Sequence, residues 1–214
     1  MKRRQFSAQL AAASLGLPFV NTAMAQGAPT EGTEYLKMRT PVPVTPPAGK
    51  VEVVEFFSYA CPHCAEFEPA LDAWTKKLPP EVFFHRIPVP FLANVANFQP
   101  LYYALEEMRL VDTLQAKIFK AVHQEGQRLS TPDEIAAFMA KNGVDATKFM
   151  AVFNSFGVRS KVMRGTQLAN AYEVASVPLL AVQGRFQTSP AQARGTEAAL
   201  RVTNYLVQLA RSGK

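Results

Sequence analysis

The amino-acid sequence predicts an α/β domain divided by an all-helical insertion, and three observations carry that reading. Residues 51–87 run strand, helix, strand, the order of a parallel βαβ unit. The next ~70 residues switch to helical spacing of their apolar positions. Strand signals then return, followed by one amphipathic helix.

Taken in order, residues 26–50 are rich in Pro, Gly and Thr, with Pro41, Pro43, Pro46 and Pro47 close together. They read as an extended lead-in with one short edge strand near Tyr35 to Met38. Residues 51–58 read as a central strand, apolar on both faces apart from Glu52 and Glu55. Residues 62–78 read as a helix, because Cys64, Phe67, Leu71, Trp74 and Leu78 recur at helical spacing. Pro69 lies inside it and predicts a kink; Pro79-Pro80 ends it. Residues 82–87 are the second strand. In the helical block, Phe98, Leu101, Leu105 and Met108 mark one helix, and Leu114, Ile118 and Val122 another. Thr131-Pro132-Asp133-Glu134 is a capping box with proline at the first position, opening a helix that stops at Asn142-Gly143. Asp145 caps the next, and a longer helix spans about 158–172. Residues 179–182 are strand-like, Gln183-Gly184 reads as a hairpin turn into Arg185-Phe186-Gln187, and a final helix covers about 196–210.

The N-terminus belongs to export, not to the fold. Lys2, Arg3 and Arg4 precede an apolar stretch from Phe6 to Val20, and Ala23-Met24-Ala25 has the small-x-small pattern of a cleavage site. A membrane anchor would need ~20 uninterrupted apolar residues, and Gln9, Ser14 and Pro18 break this stretch. The reading is a secretory signal peptide cleaved after Ala25. Arg3-Arg4-Gln5-Phe6 also fits a twin-arginine signal; Sec and twin-arginine routes both stand, and both lead out of the cytoplasm. The expected division is therefore 1–25 signal peptide, 26–92 first part of the α/β domain, 93–164 helical insertion, and 165–214 second part. The formal charge of +6 overstates the mature chain, since three of those charges are Lys2, Arg3 and Arg4 and the leader carries no acid. No basic stripe interleaved with aromatics is present, which excludes nucleic acid as a partner.

The chemistry lies in Cys61-Pro62-His63-Cys64, directly after the first strand. These are the only two cysteines in the chain. Pro62 suits the first helical position. Cys61 then sits at the helix N-terminus, where free amides and the helix dipole favour a thiolate, and Cys64 lies one turn on. A thiolate beside a partner thiol is the minimum equipment for disulfide exchange. A structural staple explains the pair poorly, because so short a loop stabilises little. A zinc site would need four ligands, and His63, His85 and His123 form no paired motif. His63 between the cysteines suits a role in stabilising the Cys61 thiolate by hydrogen bond or charge; the alternative is an exposed residue with no role. Glu55, six residues before Cys61, suits a buried acid that exchanges a proton with Cys64; the alternative is a charge satisfied by Arg86 or water.

The stretch Glu55-Phe56-Phe57-Ser58-Tyr59-Ala60-Cys61-Pro62-His63-Cys64 resembles the active-site region of the DsbA-type periplasmic disulfide oxidoreductases of the thioredoxin superfamily. Ser176-Val177-Pro178, followed by a short strand and Gly184, is similar to that family's cis-proline loop, and the resemblance extends over residues 35–210. It implies a thioredoxin-like fold with an inserted all-helical domain. It implies a nucleophilic, solvent-facing Cys61 that forms mixed disulfides with clients, and a buried Cys64 that completes exchange. Val177 and Pro178 would bind client backbone beside Cys61, with the Val177–Pro178 bond cis. Glu55 stands where the family carries an acid; Arg86 stands where it often carries a lysine. The only cofactor implied is the redox-active Cys61–Cys64 disulfide, with no metal. The implied partners are newly exported proteins with free cysteines and a DsbB-type inner-membrane protein linked to quinone. The implied enzyme is a monomeric periplasmic thiol:disulfide oxidoreductase. Two rival functions are a reductase or isomerase and a non-redox holdase. Isomerases of the superfamily carry a preceding dimerisation domain, for which residues 26–50 are too short. A holdase would use an apolar surface such as Phe91, Leu92, Val177 and Leu179.

Overall fold

The computed structural model describes residues 27–92 and 96–213. The signal peptide expected at 1–25 and the boundary expected at residue 93 lie outside the described residues.

A central strand that is apolar on both faces needs cover on both, and the fold supplies it. The sheet has five strands in the order β1-β5-β4-β2-β3, with β1 at Leu36–Lys37, β2 at Val51–Phe57, β3 at Val82–Pro88, β4 at Leu179–Val182 and β5 at Phe186–Thr188. Strands β2 and β3 are parallel, in register from Val51↔Val82 to Phe57↔Pro88. Strand β4 runs antiparallel to β2, pairing Phe56 with Leu179, and β5 closes a hairpin onto β4. The parallel pair is joined through α1 (Pro62–Thr75), as a parallel connection requires.

Alternation along β2 decides what packs where. Val51 and Val53 join Val182 and Phe186 under Ala199, Val202 and Leu206 of α7 (Thr196–Arg211). Val54 and Phe56 face the other way, against Ala169 and Tyr172 at the end of α6 (Phe156–Ala171). Four further helices complete the insertion: α2 (Phe98–Glu107), α3 (Val111–His123), α4 (Pro132–Lys141) and α5 (Ala146–Phe153). Their shared core of Leu101, Leu105, Ile118, Phe119, Ile135, Met139 and Phe149 is continuous with Phe57, Tyr59, Cys61 and Cys64. Both cysteines thus belong to the apolar cluster of the helical block, not to that of the sheet. Helix α6 is shared: Val158 and Val162 pack into the helical block, Leu168 and Ala169 against the sheet. The boundary expected at 164–165 therefore falls inside one continuous helix.

Helix ends follow their caps. Thr131 and Glu134 form the reciprocal capping box of α4, with Pro132 in the first turn, and Asp145 caps α5 through the Lys148 amide. Ser155 caps α6 through the Val158 amide, so that helix begins two residues before the expected start. Helix α1 ends at Thr75 and not at residue 78; the Thr75 hydroxyl donates to the Asp72 carbonyl in its last turn. Pro69 is carried inside α1 without ending it. At the β4–β5 turn, Gln183 and Gly184 both have positive φ, 51° and 64°. A side chain at Gly184 would strike the Val42 carbonyl, and Val42 N donates to the Gly184 carbonyl at 2.8 Å. This contact pins the lead-in segment to the hairpin.

Candidate active site

The site begins where β2 stops. Cys61 is the N-cap of α1 in extended conformation, with Pro62 directly after it. Proline there sacrifices no hydrogen bond. The Cys61 amide donates to the Ser58 carbonyl at 3.1 Å, and the Ala60 amide to Ser58 Oγ at 3.2 Å. The Cys61 carbonyl accepts from the amides of Cys64 and Ala65 at 3.1 and 3.2 Å, starting the helix.

Both cysteines are unbonded thiols. The Val177–Pro178 peptide is cis, and the Cys61 thiol donates to the Val177 carbonyl at 3.4 Å. The expected solvent-facing sulfur needs correction: Cys61 is only 7 % exposed, against 1 % for Cys64. The Val177 backbone over the sulfur and the apolar cluster beneath it account for the difference.

The two thiols are held in opposite states. Cys61 is lowered from the ordinary 9.0 to about 6. The largest cause is the hydrogen bond from the Cys64 thiol; burial opposes it, and the Cys64 and His63 amides and the His63 charge add to it. Cys64 is pushed far up, first by burial, then by donating to Cys61, then by the charge of Glu55. One sulfur ionises and its neighbour keeps its proton.

His63 is largely exposed, and its Nδ1 lies 3.1 Å from Glu66 Oε2. The Glu66 hydrogen bond, then its charge, raises the His63 pKa. Of the two modes expected for His63, its ring acts on Cys61 by charge, behind the backbone amides. Glu66 was not apparent as a partner from sequence, although i,i+3 spacing on a helix brings two side chains together.

Beneath the cysteines three ionisable side chains are buried. Glu55 pairs in register with Arg86 across β2 and β3, and Arg86 Nε is 2.9 Å from Glu55 Oε2. This is a buried ion pair, in which the charge of Arg86 opposes the effect of burial on Glu55. Arg86 Nη2 donates to Glu68 Oε1 at 3.1 Å. One guanidinium cannot neutralise two buried carboxylates, and both are raised. Glu55 rises from 4.5 to about 8, first through burial, with Arg86 opposing and Glu68 adding. Glu68 also rises, again first through burial. Sequence reasoning missed Glu68. The signal was an acid on the apolar face of α1, four residues after Cys64 and three before Leu71.

Of the proposed apolar surface, Phe91 is 44 % exposed, and Leu92, Val177 and Leu179 are half-buried. Among the described residues no group of three or more His, Cys, Asp or Glu is placed to hold a metal ion.

Comparison with known proteins gives consistent likenesses. A profile of the DSBA-like thioredoxin domain matches residues 81–199. The thiol:disulfide interchange protein DsbA of Bordetella pertussis is 40 % identical over 210 residues, covering 97 % of this chain and 98 % of that protein. The protein of the same name from Burkholderia cepacia is 39 % identical over 195 residues, covering 91 % and 92 %. The crystal structure of Pseudomonas aeruginosa DsbA superimposes with a TM-score of 0.82 at 38 % identity, over 86 % of this chain and 95 % of that one. The oxidoreductase DsbA of Xylella fastidiosa gives 0.79 at 32 % identity, over 86 % and 98 %.

Proposed function

The chain belongs to the DsbA-like thioredoxin-domain family and is a thiol:disulfide oxidoreductase; from that premise we propose that it donates its Cys61–Cys64 disulfide to newly exported proteins through a mixed disulfide at Cys61. A client thiolate attacks the Cys61 sulfur. The Cys61–Cys64 bond breaks, and Cys64 leaves with the electron pair and takes up a proton. Glu55, kept protonated by burial and electrostatically linked to Cys64, is the source of that proton. A second client thiolate then attacks the client sulfur of the mixed disulfide, and Cys61 leaves as the thiolate. The client is oxidised by two electrons and the protein is reduced by two.

The observation that carries this direction is Cys61 at the N-terminus of α1, receiving the Cys64 thiol and the amides of α1. A stabilised thiolate stabilises the reduced form and makes Cys61 a good leaving group, so the disulfide passes outward. His63 adds positive charge, and Pro62 sets the helix start. Val177 and Pro178 offer backbone for strand-like pairing with an extended client segment. Reoxidation by a DsbB-type inner-membrane protein linked to quinone completes the cycle. The leader at residues 1–25, cleaved after Ala25, delivers the protein to the periplasm as a monomer.

The test is trapping. A Cys64→Ser variant, challenged with a disulfide-bonded peptide, is expected to accumulate a mixed disulfide at Cys61, because nothing resolves it. Cys61→Ser is expected to accumulate none. Adduct formation in Cys61→Ser would reverse the assignment of nucleophile.

A further inference from the structure

Gln115, Phe119 and His123 stand on three successive turns of α3, at the i, i+4, i+8 spacing of one helix face. All three meet a single residue of the active-site turn. The Tyr59 hydroxyl donates to Gln115 Oε1. The Tyr59 ring meets Phe119 edge-on, with centroids 5.2 Å apart. The Tyr59 carbonyl accepts from His123 Nε2 at 2.8 Å. A carbonyl only accepts, so Nε2 carries the proton. The His123 ring is stacked against Phe119 at 28°, which fixes its direction. Phe57 and Phe98 complete the enclosure of the Tyr59 ring at 5.2 and 5.8 Å, and Tyr59 is fully buried.

We propose that this face of α3 is a clamp through which the helical block sets the reactivity of Cys61, with His123 as its positioning residue; the proposal rests on the redox reading of Cys61 above. The turn is tied within itself by the bonds from Cys61 N and Ala60 N to Ser58. Those bonds set its shape but not its placement against the rest of the molecule. The Tyr59 contacts do that, two residues before the nucleophile. Holding the Tyr59 carbonyl from outside fixes the peptide plane between Tyr59 and Ala60, and with it the angle at which the chain enters α1. That angle decides whether the first amides of α1 point at the Cys61 sulfur. Donors aimed in advance stabilise a charge more than donors that must reorient. A released turn would share those donors with water, weaken the thiolate, and make the disulfide easier to keep.

The experiment compares the purified wild-type protein with His123→Leu, His123→Gln and Tyr59→Phe. Leucine fills the space without a donor; glutamine restores an N–H at similar reach. Each protein is equilibrated with glutathione at fixed pH and read by thiol trapping, with its melting temperature measured alongside. His123→Leu is expected to move the equilibrium constant toward the disulfide form by about threefold or more, the usual worth of one hydrogen bond. His123→Gln is expected to return most of that shift. Tyr59→Phe, which loses only the hydroxyl, is expected to move the constant the same way, and it decides the matter if His123→Leu does not fold. Equal shifts in His123→Leu and His123→Gln, or an unshifted constant in Tyr59→Phe and the His123 variants, would overturn the clamp while leaving wild-type exchange intact. A wild-type protein that fails to exchange would overturn the reading of Cys61, and the clamp with it.

Discussion

Cys61 and Cys64 differ by three positions, yet their protons behave oppositely, because the Cys61 sulfur receives the Cys64 hydrogen bond while Cys64 is held up first by burial and then by donating that bond. The thiolate absorbance of the reduced protein is expected to titrate near pH 6, and Cys64→Ala, which removes the thiol that donates to Cys61, to move that midpoint upward. An unchanged midpoint would place the stabilisation in the helix terminus alone. Linkage gives the sign for stability. A thiol lowered from 9.0 to about 6 contributes stability that is complete above the unfolded value and is lost as pH falls through the folded one. The reduced protein is therefore expected to lose stability relative to Cys61→Ser as pH drops from about 9 to about 6, as denaturant titration at several pH values would record. Glu55 runs the other way. Raised from 4.5 to about 8, it contributes fully below its unfolded value and nothing above its folded one, so stability falls with rising pH across that window. Glu55→Gln is expected to flatten that fall; a slope identical to wild type would mean that Glu68 carries the retained proton. Arg86→Met leaves two buried carboxylates without their cation, and a loss of about 3–5 kcal/mol is expected in equilibrium unfolding.

At the scale of elements, the legible parts are those whose signal is local. The capping box of α4 is written in four consecutive residues, and Thr131→Ala is expected to lower stability by about 1 kcal/mol in denaturant titration. Gly165 of α6 is a different case. A side chain there would collide with the Tyr103 hydroxyl and crowd Ile87, so Gly165→Ala is expected to destabilise by about 1–3 kcal/mol through overpacking, although alanine is the better helix former. A gain in melting temperature would show that α2 yields. Elements β2, α1, β3, α4 and the final hairpin were readable because apolar spacing and turn residues define them. The early start of α6 was missed because Ser155 follows Asn154 at a junction where α5 and α6 are nearly continuous. Gln115, Phe119 and His123 were missed as site residues because nothing in α3 says which distant turn its inner face will meet. Only tertiary placement brings Tyr59 to it, 56 residues from Gln115 and 64 from His123. Glu68 had a local signal, an acid on an apolar stripe, but its partner Arg86 comes from another strand.

For the whole molecule, the cysteines sit in the core of the inserted helices while the strand before them and the cis-proline that precedes β4 belong to the sheet. The active site is thus a joint between two packing units, and its chemistry depends on how they meet. One consequence is thermodynamic. If the fold stabilises the Cys61 thiolate, the dithiol form is the more stable of the two, and closing the disulfide weakens the protein where a staple would strengthen it. Thermal melts at neutral pH are expected to place the reduced form above the oxidised one. The most direct test of the account is the redox equilibrium of the purified protein with glutathione, read by thiol trapping. The expected result is a potential well above thioredoxin's value of about −270 mV, that of a disulfide donor. A potential at or below that value would make the protein a reductant or an inert staple, and would contradict the reading of Cys61.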